Sequence, residues 1–180
     1  MGPRVVIKLG GGLITNKAKS KTFCHTRMAA IAEAIAELSE LGSSIVIVHG
    51  AGSYGHLLAK EWSISGGIRS DISLEQRVAV SQIRSDMREL NSLVMSSLNQ
   101  VGLECENHPP SDWALGTGRS FQGNLSAFVK SNEDAIPLTF GDVVDVEDDR
   151  KFGILSGDDV VARLSLELPH VESLIFAMGG

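Results

Sequence analysis

Two cysteines, one tyrosine and two tryptophans among 180 residues are a small allowance of cross-linking and aromatic side chains. Two cysteines build no disulfide framework, so the fold rests on a hydrophobic core, for which 43% hydrophobic residues at this length suffice. Long apolar runs are missing as well. The longest, such as 45–48, extend only a few residues, so no segment spans a bilayer, and nothing before Lys8 reads as a secretion signal. Gly2, followed by Pro3 and Val6, fits a myristoylation motif poorly. These absences predict a soluble, cytoplasmic protein without membrane partners. Positive charge is also in deficit. Sixteen Lys+Arg against twenty-two Asp+Glu leave a net charge of -6, which argues against a general nucleic-acid binder. Gly-x-x-x-x-Gly-Lys-Ser/Thr is absent and so is Gly-x-Ser-x-Gly, which removes the P-loop and the hydrolase nucleophile elbow. Cys24, His25, Cys105 and His108 match no common zinc-finger spacing, and no metal site is expected from them.

What the chain has instead is nineteen glycines, and their placement carries the argument. Val5-Val6-Ile7 is a β-branched run that stops at Gly10-Gly11-Gly12, a strand and then a tight turn. Met28, Ile31, Ala32, Ile35 and Leu38 follow helical spacing, and Gly42 stands where a C-terminal cap belongs. Ile45-Val46-Ile47-Val48 reads as a central parallel strand covered on both faces, and it ends in His49-Gly50-Ala51-Gly52-Ser53-Tyr54-Gly55-His56. A stripe of Ile83, Met87, Leu90, Val94, Leu98 and Val101 marks a long helix. Residues 106–123 are polar and read as an exposed loop or a substrate-proximal excursion. Strand character returns at 135–138, a hairpin follows over 143–155 with a charged tip, and Ser156 caps a helix with Asp158 and Asp159 in its first turn. A final strand covers 173–178. The alternation predicts an α/β fold, an open and mainly parallel sheet with helices on both faces.

Three strand ends thus carry glycine just where a helix begins: after Ile7, Val48 and Leu155. Glycine lets the backbone approach a ligand closely, and successive N–H groups at a helix start converge on an anion. Gly50-Ala51-Gly52-Ser53-Tyr54-Gly55 matches the dinucleotide fingerprint, but no strand ending in an acid follows at the required distance, and an earlier glycine turn occupies the first strand. Three such loops point to phosphate. Lys8 is bordered by Val5-Val6-Ile7 and Leu9, a costly place for an ammonium group without an anionic partner. Lys17 lies nine residues on, across the glycine turn, followed by Lys19 and Lys21 in what reads as a solvated loop. Two lysines able to reach one phosphoryl group suit phosphoryl transfer, which is largely positioning and neutralisation of charge. Trp62 and Trp113, with Ile83 and Met87, are candidates to border an apolar pocket.

Ile7-Lys8-Leu9-Gly10-Gly11-Gly12-Leu13-Ile14-Thr15-Asn16-Lys17, the His49–His56 loop, Phe140-Gly141-Asp142-Val143 and Ser156-Gly157-Asp158-Asp159 together resemble the amino acid kinase superfamily, and within it the isopentenyl phosphate kinases. The resemblance implies ATP-dependent phosphorylation of isopentenyl phosphate to isopentenyl diphosphate, in isoprenoid biosynthesis. It implies ATP as co-substrate, with Mg2+, a small-molecule phosphate as partner, and leaves room for a homodimer. It assigns Lys8, Leu9, Gly10, Gly11, Gly12 and Gly52 to ATP, Ala51, Gly52, His56 and Gly157 to the substrate, and Lys8, Lys17, His56 and Asp158 to catalysis. Lys17 matches the lysine that stabilises the transferring phosphoryl group, and Asp158 the aspartate that orients the lysines. His56 matches the histidine that separates this branch from kinases of amino-acid carboxylates.

Three positions depart from the pattern. Gly12 stands where serine is usual and Asn16 where aspartate is common. Ala51 replaces a glycine, which matters only if that position needs positive φ. Family members also continue past the last strand, so residues 1–180 read as the N-terminal, substrate-side portion of such a domain, with most of the nucleotide-binding portion lacking. A non-catalytic phosphate- or metabolite-binding module and a related kinase with another phosphorylated substrate stand as alternatives.

Overall fold

The computed structural model describes residues 3–16, 18–129 and 135–179, so Lys17 lies outside the described residues. In chain order the elements are β1 (Arg4–Leu9), α1 (Gly11–Ile14), α2 (His25–Glu40), β2 (Ser44–His49), α3 (Gly52–Glu61), α4 (Ser73–Asn99), β3 (Cys105–Asn107), α5 (Pro110–Trp113), β4 (Ala114–Leu115), β5 (Gln122–Gly123), β6 (Ile136–Phe140), β7 (Asp142–Asp145), β8 (Phe152–Leu155), α6 (Gly157–Glu167) and β9 (Val171–Ala177). Five strands form one sheet in the order β3-β6-β2-β1-β9, and every pairing in it is parallel. This is the expected α/β architecture.

Alternation along the strands sorts the core into two layers. Val5, Ile7 and Leu9 of β1 and Ile45 and Ile47 of β2 face a layer built by α2, α3 and α4, in which Met28, Ile35, Ile83, Met87, Leu90 and Val94 are buried. Val6, Val46 and Val48 face the other way, onto Val160, Val161 and Leu164 of α6. Lys8 shares the face of Val6, so the strand's own period carries its side chain towards α6. α2 ends where Gly42, at φ +82°, turns the chain back, as a left-handed glycine after a helix does.

Residues 106–123 differ from the exposed loop expected of them. They contain α5 and the short strands β4 and β5, and they join β7 and β8 in a second, four-stranded sheet of order β5-β4-β7-β8. Here Trp113 packs edge-on against Phe121 and Phe128, with ring centroids 5.9 and 5.1 Å apart. Its indole N–H donates to the His108 carbonyl. The aromatic side chains bury a short polar segment that no periodicity betrays. At the far edge of the parallel sheet, β9 pairs, among the described residues, only with β1 and leaves Leu174, Ile175 and Phe176 exposed. No helix among the described residues is long and apolar enough to cross a membrane.

Candidate active site

The carboxyl ends of β1, β2 and β6 and the start of α6 surround a cavity of about 230 Å3. Open parallel sheets place ligands at this end of their strands. One end of the cavity is polar: Lys8, the backbone of 10–12, Gly50 and Ala51, then His56, Ser156, Gly157 and Asp158. The other is apolar, walled by Ala59, Ile83, Met87, Val143 and Ile154. The two helical residues therefore serve both core and cavity. The tryptophans do not border it: Trp113, the last residue of α5, packs on Phe121 and Phe128, and Trp62 lines a separate groove between α3 and α4. Both were spent on packing elsewhere.

Two glycine turns build the polar floor. Gly10 donates its N–H to the Ala177 carbonyl at 2.8 Å, which pins the first turn to β9, and Gly50 donates to the Leu9 carbonyl at 2.9 Å, which pins the second turn to β1. Gly11 and Gly52 then meet backbone against backbone. Gly52 sits at φ +51°, whereas Ala51 has φ -74° and ψ -29°, ordinary right-handed values that an alanine adopts freely. The replacement of glycine by Ala51 is thus without backbone cost. Thr15 bridges the turns, its hydroxyl donating to the Gly11 carbonyl at 2.6 Å and accepting from the Ser53 N–H at 3.0 Å.

Lys8 is 6% exposed, and its ammonium group is ion-paired with the Asp158 carboxylate. A lysine in an apolar strand requires such an anion. Asp158 reaches it from the first turn of α6, where Ser156 and Asp159 cap the helix reciprocally: the Ser156 Oγ accepts from the Asp159 N–H at 3.1 Å and donates to the Asp159 carboxylate at 2.8 Å. Asp158 remains accessible, with its side chain 72% exposed, while Asp159 is occupied by the cap. His56, on the first turns of α3, is exposed on the cavity wall. His49 plays a structural part, stacked on Phe140 and within hydrogen-bond distance of the Gly50 carbonyl and the Asn91 side chain. Burial holds its imidazole down at about 4, so it stays neutral.

Of the residues expected at the site, the structure brings Lys8, Gly10, Gly11, Gly12, Ala51, His56, Gly157 and Asp158 to one cavity. Leu9 and Gly52 stand behind the wall, Leu9 with its side chain fully buried in the core. One ionisable cavity residue went unassigned from the sequence: Asp142, the first residue of β7, just past the end of β6 and 3% exposed. Its Oδ1 accepts from the Val143 N–H, while Oδ2 is enclosed without a hydrogen bond of good geometry. Burial pushes its carboxyl up to about 6, against the pull of that N–H, Arg84, Arg88 and Ser111. A glycine-acid pair at a strand's end was the available signal. Among the described residues no three His, Cys, Asp or Glu side chains gather closely enough to hold a metal ion.

This geometry has known counterparts. Isopentenyl phosphate kinase of Methanothermobacter thermautotrophicus is 33% identical over 170 residues, covering 91% of this chain and 63% of that protein. The enzyme of the same name from Haloferax volcanii is 34% identical over 163 residues, covering 89% and 63%. The chain spans between 61% and 64% of the length of the curated relatives it matches. A crystal structure of an isopentenyl phosphate kinase superposes with a TM-score of 0.88 at 29% identity, covering 98% of this chain and 72% of that one. Carbamate kinase from Giardia lamblia bound to AMP-PNP, at 12% identity and a TM-score of 0.68, covers 98% and 71% and shares the fold. The model of the amino acid kinase family matches residues 3–178, nearly the whole chain, and the chain belongs to that family.

Proposed function

We propose that the chain binds isopentenyl phosphate and takes part in its ATP-dependent phosphorylation to isopentenyl diphosphate. The observation that carries the reading is the two-ended cavity: amides, a lysine and a histidine at one end, and Ala59, Ile83, Met87, Val143 and Ile154 at the other. A phosphate head and a short apolar tail match those ends, and the relatives' names point the same way. In this reading the 180 residues supply the substrate-side part of the kinase domain.

A phosphate oxygen of isopentenyl phosphate attacks the γ-phosphorus of ATP. A new P–O bond forms as the bond to the β–γ bridging oxygen breaks, and ADP leaves with that electron pair. The residues' task is placement and charge. The 10–12 backbone and Lys8 receive the phosphates of ATP, with Asp158 fixing the Lys8 ammonium group. Ala51 and Gly157 offer backbone to the substrate, Gly52 holds the turn behind them, and Lys17 stabilises the transferring group. His56 donates to the substrate phosphate. Mg2+, when bound with the nucleotide, would neutralise charge on the nucleotide phosphates; among the described residues no three His, Cys, Asp or Glu side chains gather to hold it.

Calorimetric titration tests the substrate assignment on the chain itself. Isopentenyl phosphate is expected to bind at least about tenfold more tightly than inorganic phosphate, and His56→Ala to weaken it by about tenfold or more, the worth of a hydrogen bond to a charged group. Phosphorus NMR with ATP added follows formation of the diphosphate. Equal affinity for inorganic phosphate, or unchanged binding in His56→Ala, would sink the assignment.

A further inference from the structure

Lys21 stands in the segment that links the first glycine turn to α2, and although exposed it is ion-paired on two sides. Its ammonium group lies 2.9 Å from Asp86 Oδ1 and 2.5 Å from Glu89 Oε2, both on α4, and 5.8 Å from the centre of the Tyr54 ring on α3. Its backbone N–H donates to the Ser53 carbonyl at 3.3 Å, and the next N–H, of Thr22, donates to the Ser53 hydroxyl at 3.2 Å. Lys21 has a left-handed backbone, φ +45°. Such a conformation is uncommon for a residue with a side chain and persists where its surroundings fix it.

The segment is closed on itself as well. Thr15 pairs with Phe23, the Asn16 N–H donates to the Thr22 carbonyl at 2.8 Å, and the Asn16 side chain accepts from the Ala18 N–H at 3.0 Å. It is thus a short loop with a tied base and one cationic anchor. The anchor point is placed with consequence. Asp86, 6% exposed, lies between Ile83 and Met87, the α4 residues that wall the apolar end of the cavity. It also accepts from the Gln82 amide at 2.8 Å, which orients it towards Lys21. A buried carboxylate is expensive without a cation, so Asp86 and Lys21 hold each other more firmly than a surface pair does. The fork of two carboxylates also raises the Lys21 ammonium well above its usual range, through Glu89 first and Asp86 next.

We propose that Lys21, Asp86 and Glu89 form a clamp that holds residues 18–23 against α4 and against Ser53 at the second glycine turn, making Lys21 a positioning residue for phosphoryl transfer. This rests on the functional reading above, in which Lys17, carried on the same loop, stabilises the transferring group. The clamp joins that loop to the helix turn that meets the substrate's tail. A phosphoryl-transfer lysine displaced by an ångström loses most of its effect, and this sets the expected size of the defect.

The experiment compares Lys21→Met and Glu89→Gln with the charge-reversed pair Lys21→Glu/Glu89→Lys, each measured with isopentenyl phosphate and ATP. Lys21→Met is expected to lower kcat by about tenfold to a hundredfold while KM for isopentenyl phosphate stays within about twofold. The reversed pair is expected to recover most of the loss, which a purely local stability role would not predict. Amide hydrogen exchange of Ala18 and Lys19, on the same proteins without substrates, is expected to accelerate in Lys21→Met and to slow again in the reversed pair. Unchanged kcat in Lys21→Met, or a parallel loss of substrate affinity, overturns the proposal. Absence of turnover in the unsubstituted chain is a failure of the functional reading, and the exchange measurement then decides alone: acceleration supports the clamp and unchanged protection overturns it.

Discussion

A methyl group on Gly11 would stand 2.2 Å from the amide nitrogen of Gly52, nearer than any carbon approaches a backbone atom. The reverse holds too: a Cβ on Gly52 would meet the Gly11 carbonyl at 2.6 Å and the Thr15 hydroxyl at 2.1 Å. The turns that end β1 and β2 therefore touch through bare backbone, and this contact is what brings both turns to one cavity. Glycine is required at both positions by space, and at Gly52 also by its φ of +51°.

Gly52→Ala is accordingly expected to cost about 2–5 kcal/mol, the sum of a left-handed alanine and an overpacked contact. Gly42→Ala is the matched control. Gly42 has φ +82° but open space around its missing Cβ, so only the backbone term of about 1–2 kcal/mol applies. Urea unfolding of the two variants separates the terms, and equal losses would show that the Gly11–Gly52 approach carries no weight.

The Lys8–Asp158 pair leads to a different expectation. Asp158 is largely exposed but Lys8 is buried, so Asp158→Asn, which leaves the ammonium group without its anion, is expected to cost more than a surface pair does, about 1–3 kcal/mol. Under the proposed function its effect falls on turnover, by about tenfold or more, because a neutral amide no longer holds the Lys8 ammonium group in place. Steady-state kinetics beside a thermal melt check both halves. A large loss of stability with unchanged turnover would make the pair a structural strut.

Much of this arrangement was legible in the sequence. Val5-Val6-Ile7 and Ile45-Val46-Ile47-Val48 declare buried parallel strands, and Ser156 with two acids after it declares a helix start. The need of Lys8 for an anion follows from its neighbours alone, and strand alternation turns it towards α6. The rest depends on contacts between distant segments. β4 and β5 are two residues each, too short for any period, and exist through pairing with one another and with β7. Trp113 reads as a cavity residue until Phe121 and Phe128 are seen around it. Lys21 looks like one of three loop lysines because Asp86 and Glu89 lie more than sixty positions away. Lys17 falls outside the described residues.

His49 and Asp142 are neighbours through the Gly141 N–H, which donates to the His49 carbonyl at 3.0 Å, and their titrations oppose each other. Between pH 4 and 6 the unfolded chain ionises Asp142 while the native chain keeps it protonated, so its contribution to stability falls as pH rises. Over the same window the unfolded His49 takes up a proton that the buried native imidazole refuses, so its contribution rises with pH. The two slopes, each at most about 1.4 kcal/mol per pH unit, largely cancel. Relative to the unsubstituted chain, Asp142→Asn is expected to gain stability as pH rises through this window, and His49→Gln to lose it. Urea midpoints at several pH values measure both, and the difference from the unsubstituted chain removes the common contribution of other carboxylates. Parallel profiles for all three proteins would refute the opposed burial of the two groups.

Met87 has no exposed surface, yet it walls the apolar end of the cavity beside Ile83. The two roles predict two separable effects of Met87→Ala. Loss of a buried side chain is expected to cost about 2–4 kcal/mol, reduced to the extent that the new space opens into the existing cavity and fills with ligand or solvent. The same space lengthens the apolar end, so affinity is expected to shift from isopentenyl phosphate towards a monophosphate with a longer apolar tail. One added methylene is worth about 0.8 kcal/mol of burial, near a fourfold change in Kd, and two or three methylenes make the shift readily measurable by calorimetry. Gly55→Ala works in the opposite sense, since its Cβ would press on the Met87 sulfur at 3.2 Å and on the Ala51 methyl at 3.0 Å. It is expected to narrow the cavity and to weaken every tailed ligand while leaving inorganic phosphate unaffected. If Met87→Ala weakens all ligands by one factor, whatever the tail, then Met87 acts through stability alone and the apolar end of the cavity does not receive the tail.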